Sequence, residues 1–228
     1  MRHKKETGDN HPMRKKVGKV AELASGYQGG KGAWIAFGAD KFMDEEEIKD
    51  NVKKWRAESP SIVNFWYGVE RCAVSAVKMP GTFHEYNGIA FTMKEDVLYI
   101  KLLSGRLLAY HQPRLRPDRT PWGKTVDKLS YLGTENGKVL RLDTYGGKLT
   151  ENIVQATARD ILTHAMVNLE NAGYPIVMHV HDEIISEVPH DYGTVEEFEA
   201  IMAQMPAWAA DWPIKAAGGW RGLRYRKD

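Results

Sequence analysis

The chain has few of the groups that define several common protein classes. Its 228 residues include a single cysteine, Cys72, which excludes an internal disulfide and a thiolate zinc site. An apolar run of about 18 residues and a secretory signal are both missing, so we expect a cytoplasmic protein with no membrane partner. The sequence also lacks internal repeats and long low-complexity tracts. Disulfide scaffolds, membrane proteins and repeat arrays are therefore poor candidates.

Neither sign of charge is in large excess, because the formal net charge is only +2. The distribution is uneven, however. Residues 1–31 hold eight Lys and Arg against three acids, residues 106–124 hold five against one, and residues 220–228 hold four against one. Separated basic segments of this kind fit a polyanionic partner. Aromatic residues beside them could stack on bases, although most Trp in such a domain belong to the core: Tyr27, Trp34, Tyr110, Trp122, Trp220 and Tyr225.

Helices come first along the chain and strands follow, which predicts an α+β fold with a mixed sheet. Apolar spacing predicts helices over residues 45–56 and 61–77, with Ser59-Pro60 starting the second and Cys72 packed on its apolar stripe. Short strands are predicted at residues 89–91, 97–100, 106–110 and 129–132, a helix at 195–205, and a strand-like tail after it. The predicted organisation is a mostly helical region, 1–105, followed by a sheet-containing region, 106–228.

The run His181-Asp182-Glu183 carries the clearest chemical signal. Two β-type stretches, residues 176–180 and 184–188, flank it and predict a tight hairpin with acids at its tip. Neighbouring exposed carboxylates suit a hard cation such as Mg²⁺.

Two further helices are predicted around polar stripes. Upstream of the hairpin, residues 151–169 show an apolar stripe and a separate polar face that holds Gln155 and Arg159, and this helix should pack beside the hairpin. The apolar stripe consists of Val154, Ala158, Ile161, Ala165 and Leu169, and Asn152 and Thr163 complete the polar face. Near the start, four side chains recur every four residues and predict one face of a helix that Gly26, Gly29 and Gly30 end: Lys15, Lys19, Leu23 and Tyr27.

Three segments, in this order, resemble polymerase motifs of family A DNA polymerases, especially the phage branch. They are GKVAELASGYQGGKGAW, TYGGKLTENIVQATARDIL and VMHVHDEII. Weaker likeness extends from about Arg14 to the end of the chain. The resemblance implies a fingers region at 1–105 and, at 106–228, a palm region with a mainly antiparallel sheet and a catalytic hairpin. It also implies DNA synthesis from dNTPs on a primer-template, with two Mg²⁺ ions, in a bacterial host cell.

The resemblance implies roles for the hairpin and the first helix. Asp182 would bind both metal ions, Glu183 would be an auxiliary carboxylate and His181 would approach the primer end. Lys19 would contact the incoming triphosphate and Tyr27 would stack near the templating base. Either Lys15 or Arg14 would make a further phosphate contact. Leu23 stands where many family members carry Phe or Tyr against the sugar, which puts sugar discrimination in doubt.

The remaining implied contacts are to DNA. Gln155 matches a glutamine that reads the minor groove at the nascent pair, and Arg159 could hold a phosphate or pair with an acid. Arg106, the first residue of the basic segment 106–124, is a further DNA-binding candidate.

The first polymerase motif of the family, which supplies another metal-binding aspartate, lies upstream of the cationic helix. Only a short segment precedes Arg14 here and it has no such motif. The similar run Asp191 to Glu196 follows the hairpin and is predicted to be a loop entering a helix. The chain is therefore expected to be a C-terminal polymerase fragment, inactive alone, that needs an N-terminal polypeptide partner.

Two other functions stay open at this point. A non-catalytic nucleic-acid-binding remnant of a polymerase would also lack the first motif. A metallohydrolase could use His179, His181 and Asp182 to bind a transition metal, because strand alternation would place both histidines on one face.

Overall fold

The computed structural model describes residues 13–119, 123 and 125–225. The chain divides into two compact units, Met1–Ile153 and Val154–Asp228. The regular secondary structure of the described residues consists of helices and antiparallel strands, which confirms the α+β class. Every strand pair among the described residues is antiparallel, which agrees with the mainly antiparallel sheet that the resemblance implies and not with a mixed sheet. No helix of the described residues combines the length and apolarity needed to cross a membrane.

Helices form the first half of unit 1. A π-helical turn, Arg14–Gly18, leads directly into α1, Lys19–Ser25. The next three helices are α2 (Lys31–Ala36), α3 (Glu45–Glu58) and α4 (Pro60–Lys78). Helices α3 and α4 confirm two predictions, whereas α2 was not predicted because it has only six residues.

The starts of α3 and α4 follow from local sequence. Asp44 accepts hydrogen bonds from the backbone of Glu46 and Glu47, and the Glu47 carboxylate accepts one from the Asp44 backbone, so α3 begins with a capping box. Pro60 occupies the first turn of α4, where its missing N–H costs nothing. Cys72 is buried on this helix, as predicted.

A small apolar core joins the first helices. Trp34 is fully buried, and its indole N–H donates to the buried Ser25 hydroxyl at 2.9 Å. The buried members of this core are Val20, Ala24, Trp34, Ala39, Ile48 and Val52. Helix α1 is therefore anchored by one face.

A six-stranded antiparallel sheet in the order β1-β2-β3-β4-β5-β6 follows. Its strands are β1 (His84–Tyr86), β2 (Ile89–Lys94), β3 (Val97–Lys101), β4 (Leu107–Arg119), β5 (Thr125–Glu135) and β6 (Lys138–Thr144). Strands β4 and β5 are much longer than predicted, and β1 and β6 were not predicted. The predicted boundary at 105/106 falls within this sheet, and the functional division into fingers and palm stays a prediction.

The two faces of the sheet differ. Helix α4 packs against the face that carries Tyr86 and Asp127: its Gly68 lies against the Tyr86 ring, and its Lys78 pairs with Asp127 at 2.5 Å. We call this the inner face. Side chains alternate along each strand, and residues paired across strands share a face. The inner face therefore also holds Tyr110 and Tyr131, whose ring centroids lie 4.8 Å apart.

The last elements are a long helix, a hairpin and a short helix. Helix α5, Gly146–Asn171, runs through the boundary between the units. The hairpin is formed by β7, Ile176–Val180, and β8, Glu183–Ser186. Helix α6, Val195–Met202, ends three residues before its predicted end, after the loop that was predicted at Asp191. The described residues after α6 contain a 3-10 turn, Ala207–Ala209, and no strand, so the predicted strand-like tail is wrong there.

Candidate functional site

A two-residue turn places Asp182 at the tip of the β7–β8 hairpin. Val180 pairs with Glu183, so only His181 and Asp182 lie between the strands. His181 has φ +53, in the left-handed region that short turns require. Asp182 and His181 are exposed, whereas Glu183 is half-buried. Strands β7 and β8 thus pair where the sequence predicts a hairpin, and the turn presents one carboxylate to solvent, whereas a catalytic role for the hairpin stays a prediction.

Glu183 has a partner that the sequence did not reveal. The Tyr225 hydroxyl donates a hydrogen bond of 2.8 Å to its carboxylate, and this bond raises the pKa of Tyr225 above its ordinary value. The phenol therefore stays protonated and acts as a donor near neutral pH. Tyr225 was considered only as a base-stacking residue, because nothing in the sequence links positions 42 residues apart.

The segment that carries Tyr225 is held in place by several contacts. The rings of Trp220 and Tyr225 stack with centroids 6.4 Å apart. The Arg221 guanidinium donates to the carbonyl oxygens of Pro189 and Gly193, at 2.7 and 3.0 Å. We call residues 219–225 the C-terminal strap. Of the other aromatic candidates, Trp34 and Tyr110 belong to the core, and Trp122 lies outside the described residues.

An open groove of about 440 Å³ lies beside β7. The second half of α5 forms its other wall, and the Glu170 carboxylate accepts a hydrogen bond of 2.7 Å from the Ile176 backbone N–H. The helix therefore lies beside the hairpin, as predicted. The groove is lined by Thr163, Met166, Val167, Glu170, Asn171, Ile176, Val177, Met178 and His179.

The predicted stripes of this helix need correction. Val154 and Ala158 are exposed, because the first half of the helix buries the neighbouring stripe that holds Ile153 and Thr157. The buried residues of the helix, apart from its first two glycines, are Leu149, Thr150, Ile153, Thr157, Leu162, Ala165 and Leu169. Gln155 and Arg159 are exposed, as a DNA contact requires.

Asn152 does not belong to the exposed face. Its side-chain amide donates to the Tyr110 hydroxyl at 2.8 Å, and burial raises the pKa of Tyr110 to about 12. Asn152 therefore fixes the helix to the inner face of the sheet.

The predicted cationic face is only partly formed. Lys19 and Leu23 are exposed one turn apart on α1. Lys15 and Arg14 lie in the π-helical turn, whose wider winding breaks the four-residue spacing, and the side chain of Lys15 is outside the described part of the structure. Tyr27 follows the end of α1, so the prediction that it shares the helix face is wrong.

Tyr27 instead lies in a turn whose backbone carbonyl oxygens accept hydrogen bonds from the side chains of Trp66 and Arg56. The Trp66 indole donates to the Gly26 carbonyl at 2.8 Å, and the Arg56 guanidinium donates to the carbonyls of Gln28 and Gly29 at 3.2 and 3.3 Å. The ring is half-buried, and this burial, followed by the charge of Glu151, raises the pKa of Tyr27. The turn that carries Tyr27 is thus fixed by hydrogen bonds from two side chains, Trp66 and Arg56.

The start of α5 closes on this turn. The Gly147 backbone N–H donates to the Gln28 side-chain oxygen at 2.8 Å. A Cβ atom at Gly147 would lie 2.2 Å from the Tyr27 carbonyl oxygen, and one at Gly146 would lie 2.3 Å from the Trp66 carbonyl oxygen. Only glycine allows such close approach, which gives the two adjacent glycines a packing role.

Arg106 lies in the exposed turn before β4. Its carbonyl oxygen accepts a hydrogen bond of 2.9 Å from Leu102. The structure therefore gives Arg106 a turn position on the sheet.

The metal chemistry fits the hairpin only in part. No group of three His, Cys, Asp or Glu side chains suited to a metal ion exists among the described residues. The metallohydrolase site of His179, His181 and Asp182 is therefore not formed, because His181 belongs to the turn and the strand alternation ends at Val180. Mg²⁺ commonly uses one or two carboxylates together with water and substrate phosphates, a role that Asp182 and Glu183 fit.

Comparison with known proteins supports a relation to DNA polymerases. The chain is 48% identical over 219 residues to a protein named DNA polymerase from Bacillus phage SP02. The match covers 95% of this chain and 33% of the phage protein, so the chain spans about a third of the length of the curated relative it matches. No protein-family model matches the chain. No solved structure matches it either.

Proposed function

We propose that this chain is the fingers and palm part of a family A DNA-directed DNA polymerase, which adds dNTPs to a primer 3′ end on a DNA template. The observation that carries the proposal is the 48% identity to a phage DNA polymerase along 95% of the chain. The exposed carboxylate of Asp182 on a short hairpin supports it. Such an enzyme would work on phage or prophage DNA in the cytoplasm of a bacterial host.

In this proposal the hairpin holds the metal ions. When bound, two Mg²⁺ ions stabilise charge on the attacking and leaving oxygens of phosphoryl transfer. Asp182 is their ligand, and Glu183 is an auxiliary carboxylate whose rotamer Tyr225 restricts through its hydrogen bond. His181, in the same turn, contacts the primer end.

The helix α1 region binds the nucleotide. Lys19 is a compact exposed cation suited to the triphosphate, and Arg14 or Lys15 adds a second phosphate contact. Leu23, one turn from Lys19, lies against the sugar, and Tyr27 stacks near the templating base. Gln155, Arg159 and Arg106 contact the primer-template.

Two-metal catalysis needs a further carboxylate from another part of the palm. In this proposal it comes from polypeptide outside residues 1–228, either on the same chain or on a separate N-terminal fragment. The open groove beside β7 and the exposed side chains of Val177 and Met178 provide apolar surface that such polypeptide could cover. A non-catalytic DNA-binding remnant remains the competing function.

The first prediction is that residues 1–228 alone do not extend a primer, because Asp182 and Glu183 provide only part of the metal site. Purified chain, labelled primer-template, dNTPs and Mg²⁺ should give no extension above a no-enzyme blank. Adding the remaining two thirds of the related phage polymerase as a separate polypeptide should restore extension. Extension by the chain alone would contradict the prediction, and failure to restore it with a folded partner would favour the remnant.

The second prediction concerns Tyr225. In the restored enzyme, Tyr225→Phe should lower kcat about 10-fold and raise the Mg²⁺ concentration needed for half-maximal rate, because Glu183 loses its hydrogen bond. The KM for dNTP should change little. Tyr192→Phe is the matched control, since it removes a 2.6 Å hydrogen bond to the Ala172 carbonyl within the same unit. A Mg²⁺ dependence that moves equally in both variants would show that Tyr225 has only a structural role.

A further inference from the structure

The outer face of the sheet, opposite helix α4, carries most of the positive charge of β4, β5 and β6. Register pairs place four cations and two acids on this face: Arg114, Arg116, Lys128 and Arg141 with Asp118 and Asp143. The inner face of the same three strands holds two cations and two acids: Arg119 and Lys138 with Asp127 and Glu135. The net positive charge of these strands therefore lies on one face.

The acids on this face hold the cations in place without cancelling them. The Asp143 carboxylate lies 2.7 Å from the Arg116 guanidinium and 3.0 Å from the Lys128 ammonium. The hydrogen bond from Lys128 is the largest of several effects that lower the pKa of Asp143, so this carboxylate stays ionised at neutral pH. Lys128 also lies 3.7 Å from Asp118. Two acids shared among four cations leave an excess of two positive charges.

Arg141 is fixed by the backbone. Its guanidinium donates to the Gln112 carbonyl at 3.0 Å, in the β4 bulge between His111 and Arg114. Bulges of this kind re-aim side chains and increase local twist. The cationic residues thus sit on a twisted two-dimensional lattice, about 7 Å apart along a strand and about 5 Å apart between strands.

The outer face is open to solvent. Arg114, Arg116 and Arg141 are exposed, and Val139 is 71% exposed. Ordered, exposed guanidinium groups donate several hydrogen bonds in a fixed geometry that suits phosphate oxygens. If the outer face were only solvated surface, we would expect its cations and acids to be balanced, as they are on the inner face.

We propose that the outer face of strands β4–β6 binds the phosphate backbone of duplex DNA. This inference rests on the proposed polymerase function and assigns a DNA-contacting surface beyond Gln155, Arg159 and Arg106. The contact is to phosphates and independent of base sequence, because cations on a sheet face present no groove-reading element. Release of counterions from the duplex drives it, so it weakens steeply with salt.

The test is fluorescence anisotropy of a labelled 30-base-pair duplex with purified chain over a range of salt concentrations. The double variant Arg114→Gln/Arg116→Gln should lose about 10-fold in affinity near 100 mM salt, and the slope of log affinity against log salt should fall by about two. The matched control is Arg119→Gln/Lys138→Gln, which removes the same charge from the inner face of the same strands. It should lose less than about 3-fold.

Equal losses in the two double variants would overturn the proposal, since they would show that only net charge matters. An unchanged affinity in the outer-face variant would overturn it as well. Thermal melting checks folding, and if the double variant melts early, Arg114→Gln alone should lower the salt slope by about one. Binding is measured without catalysis, so an active restored polymerase with an unaffected outer-face variant would refute this surface and leave the proposed function standing.

Discussion

Replacing Asp182 by Asn in the restored polymerase is expected to lower the rate of primer extension by about three orders of magnitude or more. Asn keeps the size of Asp182 but removes the charge that the metal ions of the proposed function would require. Because those ions act on charge that develops in the transition state, the loss should fall on kcat. Single-turnover extension with rapid quench measures it, alongside DNA affinity from anisotropy.

Asp191→Asn provides the matched control for this substitution. Asp191 is another exposed acid in the same unit, in the loop after the hairpin. Its replacement should leave extension within about 2-fold of the unchanged enzyme, as expected for a surface position. If the Asp182→Asn enzyme polymerises as well as this control, the hairpin does not hold the metal ions and the proposed function fails.

Replacing Lys19 by Ala should reduce kcat/KM for dNTP about 100-fold, because the variant loses the cation that the proposed function assigns to the triphosphate. DNA affinity should change by less than about 3-fold, since a single phosphate contact to the duplex contributes little. The decisive result is a large loss of kcat/KM for dNTP together with a nearly unchanged DNA affinity. Steady-state extension at varied dNTP concentration and anisotropy with the primer-template provide it.

Lys53→Ala is the control for Lys19→Ala. Lys53 is an exposed lysine on helix α3, so the two variants lose the same charge from helix surfaces of the same unit. The control should leave both quantities nearly unchanged. Equal losses of nucleotide use and DNA binding in the Lys19 variant would assign Lys19 to the DNA backbone or to folding.

The elements that the sequence predicted well are those with local signals at their ends. Helix α3 begins at the capping box of Asp44, and helix α4 begins at Pro60. The HDE hairpin was also predictable, because the two apolar stretches leave room only for a short turn. These features depend on interactions within a few residues of each other.

The sequence does contain a local turn signal beside β1 and β6, the two strands that were not predicted. Asn87-Gly88 joins β1 to β2, and Asn136-Gly137 joins β5 to β6, in each case with positive φ at both residues. Asn-Gly is the strongest short hairpin signal. A search for such pairs would have predicted β1 and β6. The turn Glu95-Asp96, between β2 and β3, also has positive φ at both positions but carries no comparable sequence signal.

Other features could not be predicted from spacing alone. The π-helical turn at Arg14–Gly18 changes the winding before Lys19. The first half of α5 buries Ile153 and Thr157, so Val154 and Ala158, one position further along, lie on its exposed side. Tyr225 reaches Glu183 across 42 residues. In this last case a partner far along the chain decides the outcome.

The hydrogen bond between Gln28 and Gly147 has a consequence for the folding of unit 1. It joins positions 119 residues apart, and closing so long a loop costs chain entropy before the contact contributes stability. During synthesis, the turn around Tyr27 cannot reach its final packing until Gly147 has left the ribosome. Unit 1 therefore completes the packing of the turn around Tyr27 only after the whole sheet has been made, and folding of this unit should be slow compared with that of a local helical bundle.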